Sequence, residues 1–167
     1  MFRTIKDFKE AWAEESNNTR KYLAAIDDES KNQKINDEHR DIGRIAWHIA
    51  MTLPEMGRQM QLDIEGPSDP NAPVPATVEE IRETYDKAAT SLMNLLDDWT
   101  DETLTQVDDL YGEKWVRGKT LAIMLYHEIH HRGQMAVLMR QANVKVPGVY
   151  GPSKEEWAQY NASPPAV

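Results

Sequence analysis

Apolar side chains recur at helical spacing in four stretches of the chain, separated by polar or proline-rich intervals. The first stretch carries Phe8, Trp12, Tyr22, Leu23 and Ile26, with Thr19 in the same series, and runs through about residue 28. Thr4-x-x-Asp7 stands before it as a capping box with Asp in place of Glu, so the spacing predicts a helix starting at Thr4. Asp27 to His39 is charged and holds a single apolar residue, Ile35; it reads as a connection. A second stripe, Ile42, Ile45, Ala46, Ile49, Leu53, Met56 and Met60, predicts a helix from about Asp41 past Met60. Pro54 falls inside that pattern and predicts a kink, not a stop.

The proline-dense interval from Gly66 to Pro75 cannot continue a helix, and its length allows it to run from one end of a bundle to the other. Thr77-x-x-Glu80 is a full capping box, and Val78, Ile81, Tyr85, Ala88, Leu92, Leu95 and Leu96 line one side of the helix it opens. Residues 100–117 are less regular, with Tyr111 and Trp115 near Gly112 and Gly118, and show no convincing strand alternation. A fourth helix is predicted from near Thr120 to about Ala142. Val146 to Pro152 is rich in turn residues, and Ser153-x-x-Glu156 marks the start of a short last helix. With no internal repeat, the expected fold is all-α: a four-helix bundle with long connections and a short C-terminal helix, one domain over residues 1–167.

Composition narrows the chemistry. A chain of 167 residues can bury a core without staples, and 40% apolar content with five Trp and eight Met is globular. There is no cysteine, which excludes disulfides, thiolate ligands and a cysteine nucleophile; a metal site would have to use His, Asp, Glu or water. The net charge of −9, with no run of Lys or Arg to reverse it locally, argues against nucleic acid as a partner. The N-terminus lacks the apolar core of a signal peptide, and no stretch of roughly 18 apolar residues exists to span a membrane. A cytoplasmic protein without a membrane partner is expected.

Candidate chemistry is concentrated in His127-Glu128-Ile129-His130-His131. At about 100° per residue, His127 and His131 lie about 40° apart on the fourth helix, in the direction of Met124, Gln134 and Leu138. This reads as the buried face, with Glu128 swung about 100° from His127. Two adjacent buried imidazoles can satisfy ordinary core hydrogen bonds, but a shared divalent cation supplies one partner for both. His48, on the second apolar helix near Thr52, Glu55 and Gln59, is the natural third ligand, although a histidine at the edge of a stripe can also be a half-exposed surface residue. His39, among Asp37, Glu38 and Arg40, reads as solvated.

The same letters spell H-E-x-x-H, in which the Glu serves zinc peptidases as general base. The longer pattern fails, because Gln134 and Val137 stand where a glycine and a third histidine are required. A di-iron bundle needs two E-x-x-H units, and Glu128-x-x-His131 is a single one. No catalytic residue can be assigned from these letters. Gln134, near one turn from His131, is placed to orient a ligand or a water, or simply to fill a helix contact.

Nearly the whole chain resembles the DinB/YfiT-like family of four-helix metalloproteins. The resemblance is carried by Ile42 to Ala50 with its Trp47-His48 pair, by His127-Glu128-Ile129-His130-His131-Arg132-Gly133-Gln134-Met135, by Arg140 to Val144, and by Val146-Pro147-Gly148-Val149-Tyr150-Gly151. It implies one divalent metal ion on His48, His127 and His131, with positions left open for water; neutral imidazoles suit zinc, nickel and other ions alike, and zinc is placed first. It also implies a homodimer. Some relatives join a low-molecular-weight thiol to an electrophile, so the expected activity is a metal-dependent thiol S-transferase acting on small molecules. The alternatives are a non-catalytic metal-binding stress-response protein or a metal-dependent hydrolase or peptidase.

Overall fold

Burial of the four stripes against one another builds the molecule. A computed structural model describes residues 2–67, 69 and 71–166, so Ser68 and Pro70 of the proline-dense interval, with Met1 and Val167, lie outside the described residues. The helices are α1 (Ile5–Ala25), α2 (Ile42–Gln59), α3 (Val78–Leu95) and α4 (Arg117–Gln141). The two capping boxes form as the sequence predicts. Thr4 Oγ1 accepts from Asp7 N at 3.0 Å, and Thr77 Oγ1 accepts from Glu80 N at 3.3 Å. Each acidic side chain returns a bond to the threonine N–H. Asp41 caps α2 by accepting from Arg44 N at 2.7 Å, and the helix continues through Pro54 to Gln59.

The order around the bundle follows from which ends meet. Arg82 at the start of α3 donates to the carbonyls of Leu23 and Ile26 where α1 finishes, at 2.8 and 2.7 Å. Near the same end Ile42 N, opening α2, donates to Gln33 O at 3.0 Å, and Lys31 Nζ donates to Ala76 O. Helices α2 and α3 therefore start together, and the described residues between 60 and 77 return the length of the bundle as the sequence allowed. Trp47 Nε1 pins that return by donating to Ala72 O at 3.1 Å. Its first turn lies so close to α2 that a Cβ on Gly57 would meet Ile64 Cδ1 at 2.6 Å. Helices α1 and α2 pack mainly on α3 and α4. The core between them holds Phe8, Trp12, Ile49, Leu53, Ile81 and Leu92, each of which contributes about 1.5–3 kcal/mol on burial.

Two expectations need correction, and a third is met in a tighter form. Residues 107–116 form an antiparallel hairpin, β1 (Val107–Leu110) and β2 (Glu113–Val116), in the register Val107↔Val116 to Leu110↔Glu113. Its turn residues Tyr111 and Gly112 both have positive φ, 53° and 82°, the primed geometry that suits two-residue hairpins. Next, α4 starts at Arg117, directly out of β2 and without a side-chain cap. The Arg117 guanidinium instead grips buried Asp108 of β1 at 2.8 and 3.0 Å, joining hairpin to helix. Finally, the C-terminal helix is a single 3-10 turn, Trp157–Tyr160. Among the described residues no helix is long and apolar enough to cross a membrane.

Candidate metal centre

Helices α2 and α4 run antiparallel side by side, and this brings His48 against the His127–His131 pair. His48 Nε2 lies 3.2 Å from His127 Nε2, and His127 Nε2 lies 2.8 Å from His131 Nε2. One donor atom from each of the three falls within 4.8 Å of the others, so the cluster can hold a metal ion. Tetrahedral Zn–N bonds of about 2.0–2.1 Å separate their nitrogens by roughly 3.3 Å, and the rings need only small rotations to reach that.

Tautomers sharpen the point. Gln134 Oε1 accepts from His131 Nδ1 at 2.7 Å, which puts the ring proton on Nδ1 and leaves Nε2 as a bare lone pair toward the cluster. His127 Nε2 then carries either a lone pair facing that of His131, or one proton between two acceptors. A single cation satisfies all three nitrogens at once. Burial, followed by the charge of the neighbouring His131, pushes His48 and His127 down to about 4, with Arg40 adding to both. Burial also lowers His131, against the opposing hydrogen bond from Gln134. His48 and His127 are therefore neutral at pH 7, and the lowering of His131 favours the same form, the one a metal ligand requires.

Two cavities of about 460 Å³ each adjoin the cluster. One lies against His131 and Gln134 and is walled by Ile35, His39, Arg40 and Val137. The other opens on His48 and His127 beneath the hairpin, where Tyr111, Trp115 and Tyr126 form its wall. Glu55, weighed above as a neighbour of His48, lies in this second cavity and outside the three-histidine group; its partner is the Tyr111 hydroxyl at 3.4 Å. His39 is exposed, as its charged setting predicts, yet it lines the first cavity.

The buried face of α4 is wider than the one read in the sequence: Met124, His131 and Leu138 are buried as expected. Its centre is Leu121, Leu125, Glu128, Arg132, Met135 and Met139, while His127 is half-buried and Gln134 exposed. Glu128 Oε2 accepts from Thr19 Oγ1 at 2.9 Å and from Tyr85 OH at 3.0 Å. Burial raises its carboxyl to about 7. Arg132 donates to Glu15 O and Thr19 Oγ1 at 2.9 and 3.0 Å, and pairs with the Glu15 carboxylate, which also accepts from Tyr150 OH at 2.7 Å. Glu128 is thus bonded to α1 and α3, away from the histidines, and is not placed to act as a peptidase base.

Sequence reasoning assigned nothing to Arg132 or Tyr126. The available signal was the four-residue spacing of Glu128 and Arg132 within the run Leu121, Leu125, Met135, Met139.

A family model described as the DinB family matches residues 1–164. The uncharacterized protein YrdA of Bacillus subtilis (strain 168) is 37% identical over 168 residues, covering all of both chains. A DinB-like protein of Bacillus cereus has a crystal structure that superposes with a TM-score of 0.85 at 39% identity, over 90% of this chain and 100% of that one. A second DinB-like protein, YjoA of Bacillus subtilis, is 19% identical with a TM-score of 0.67, covering 86% of this chain and 96% of that one, and so bears on the fold alone.

Proposed function

The chain belongs to the DinB family, and from that premise we propose that it is a metal-dependent enzyme of the thiol S-transferase type, using one divalent ion, zinc first, on His48, His127 and His131. The observation that carries this reading is the convergence of three Nε2 atoms with the His131 lone pair fixed by Gln134. A bound divalent ion supplies Lewis acidity that favours the thiolate form of a thiol at neutral pH. The chain supplies the rest. Helices α2 and α4 hold the three donors without a carboxylate among them, and Gln134 keeps one ring in its ligating tautomer. The two adjoining cavities give separate spaces for two reactants beside the same centre.

The test starts from protein purified without a histidine tag. About one zinc per chain is expected by elemental analysis, lost in His131→Ala. Thiol consumption with a panel of small electrophiles should then disappear on chelation and return with added metal. Absence of stoichiometric metal, together with unchanged uptake in His131→Ala, defeats the metal assignment. Full metal occupancy without turnover on any thiol and electrophile pair turns the ion into a staple between α2 and α4.

A further inference from the structure

We propose that the cavity under the hairpin binds a flat, uncharged aromatic small molecule that carries an N–H or O–H donor. It names the guest of one of the two reactant spaces given above, the one that His48 and His127 line, and rests on the pocket's own walls, which need no ion to form. Its wall is aromatic: Tyr111 and Trp115 meet edge to face at 6.2 Å between ring centres, and Tyr126 faces the same space from α4. Tyr111 and Tyr126 are 59% and 54% exposed, so the core does not explain their size. Its volume of about 460 Å³ lies within the usual span of small-molecule sites.

Backbone conformation adds an independent sign. Tyr111 sits at φ 53°, in a turn position where Asn, Asp or Gly is the inexpensive choice. A bulky residue held there, with its ring largely outside the core, marks a position kept for what the ring does. The ring closes one side of the cavity and its hydroxyl reaches Glu55.

Charge selects the guest. Glu55 has no cationic partner among the described residues, and the 3.4 Å bond from Tyr111 leaves it free to accept a shorter one. Thr52, beside it, spends its hydroxyl on the His48 carbonyl at 2.8 Å. An anion would be repelled by Glu55. The cation seat on Trp115 is already taken, since the Lys119 ammonium lies 4.3 Å over its ring. A neutral ring stacked on the aromatic wall, with a donor turned to Glu55, fits both constraints.

The probe is 2-naphthol, titrated calorimetrically into chelator-treated full-length protein, with 2-methoxynaphthalene (no donor) and decahydro-2-naphthol (no flat ring) as comparisons. One site per chain is expected for 2-naphthol, weaker binding for the methoxy compound and none for the saturated one. Trp115→Ala and, on the exposed surface of α4, Tyr126→Ala should each weaken 2-naphthol about fivefold. Glu55→Ala should weaken 2-naphthol while leaving the methoxy compound unchanged. Equal affinity for the saturated alcohol, or indifference to both aromatic substitutions in folded variants, overturns the proposal. So does sedimentation showing a dimer that Tyr126→Ala dissociates, with 2-naphthol binding only the monomer, because the wall is then a subunit contact. Since no metal is present in the titration, failure here leaves the zinc measurement untouched, and failure of that measurement leaves this one standing.

Discussion

Helix α4 presents two polar faces one residue apart in sequence, and they are built on opposite terms. On one, Glu128 and Arg132 are buried and bonded to Thr19, Tyr85, Glu15 and Tyr150, and Glu128 Oε1 is the one fully buried polar side-chain atom of the pair without a partner among the described residues. On the other, His127 and His131 meet His48 of α2 with their Nε2 atoms together, and among the described residues no other His, Asp or Glu joins the group. The first face is completed by the chain itself; the second is arranged for something the chain does not contain. Burial alone would mislead here, because the better-buried face is the structural one.

Truncation of Arg132 breaks the comparison most severely. Arg132→Ala leaves the Glu15 carboxylate and the Thr19 hydroxyl buried without their cation, a loss of about 3–5 kcal/mol in urea unfolding. The molecules that remain folded should still take up metal at the parental stoichiometry, since the three donors reside on the other face. A variant as stable as the parent would show that the buried pair is not what joins α1 to α4.

Gln134→Ala is the converse, a change confined to the histidine face. Gln134 is exposed, so stability should move by less than about 0.5 kcal/mol. Without its carbonyl the His131 ring is free to carry its proton on either nitrogen, and zinc affinity in a competition titration should fall about 10–100-fold. Unchanged affinity would remove Gln134 from the site and leave it a helix contact.

How much of this was legible in the letters depends on where each partner lies. His127 and His131 declare themselves locally by their four-residue spacing, and His48 by its place on a second apolar helix; both helices form, α4 opening three residues before the expected Thr120, and both capping boxes stand as the sequence predicts. Glu128 and Arg132 are charged letters inside an apolar stripe, and the groups that make their burial tolerable are Thr19 and Glu15 on α1, more than a hundred positions away. Nothing local can announce such a partner. The hairpin was hidden for a more local reason: one of its inward positions is Asp108, whose carboxylate Arg117 grips, so the expected apolar alternation is missing. Its Tyr-Gly turn also lacks the Asn or Asp that signals a primed turn.

Glu128→Gln should have the smallest effect at any one pH below neutrality, and its value lies in the slope. Burial raises the Glu128 carboxyl from its ordinary 4.5 to about 7. The unfolded chain therefore gives up this proton at lower pH than the folded one. Stability from this group is complete below 4.5 and is lost as pH rises through 7. The histidines slope the other way: with His48 and His127 lowered from 6.5 to about 4, their stability is complete above 6.5 and lost as pH falls through 4. Comparing variant with parent at each pH cancels the histidine contribution, which both proteins share, and isolates Glu128. In chelator-treated protein at pH 5, where the folded carboxyl is already neutral, Gln should be close to an equal replacement. At pH 8 the parent holds a buried carboxylate and the variant does not, so Glu128→Gln should be the more stable of the two by urea unfolding. Parallel pH profiles for the two proteins would mean that Glu128 is ionised throughout, and that the nearby Arg132 charge, not a retained proton, makes its burial tolerable.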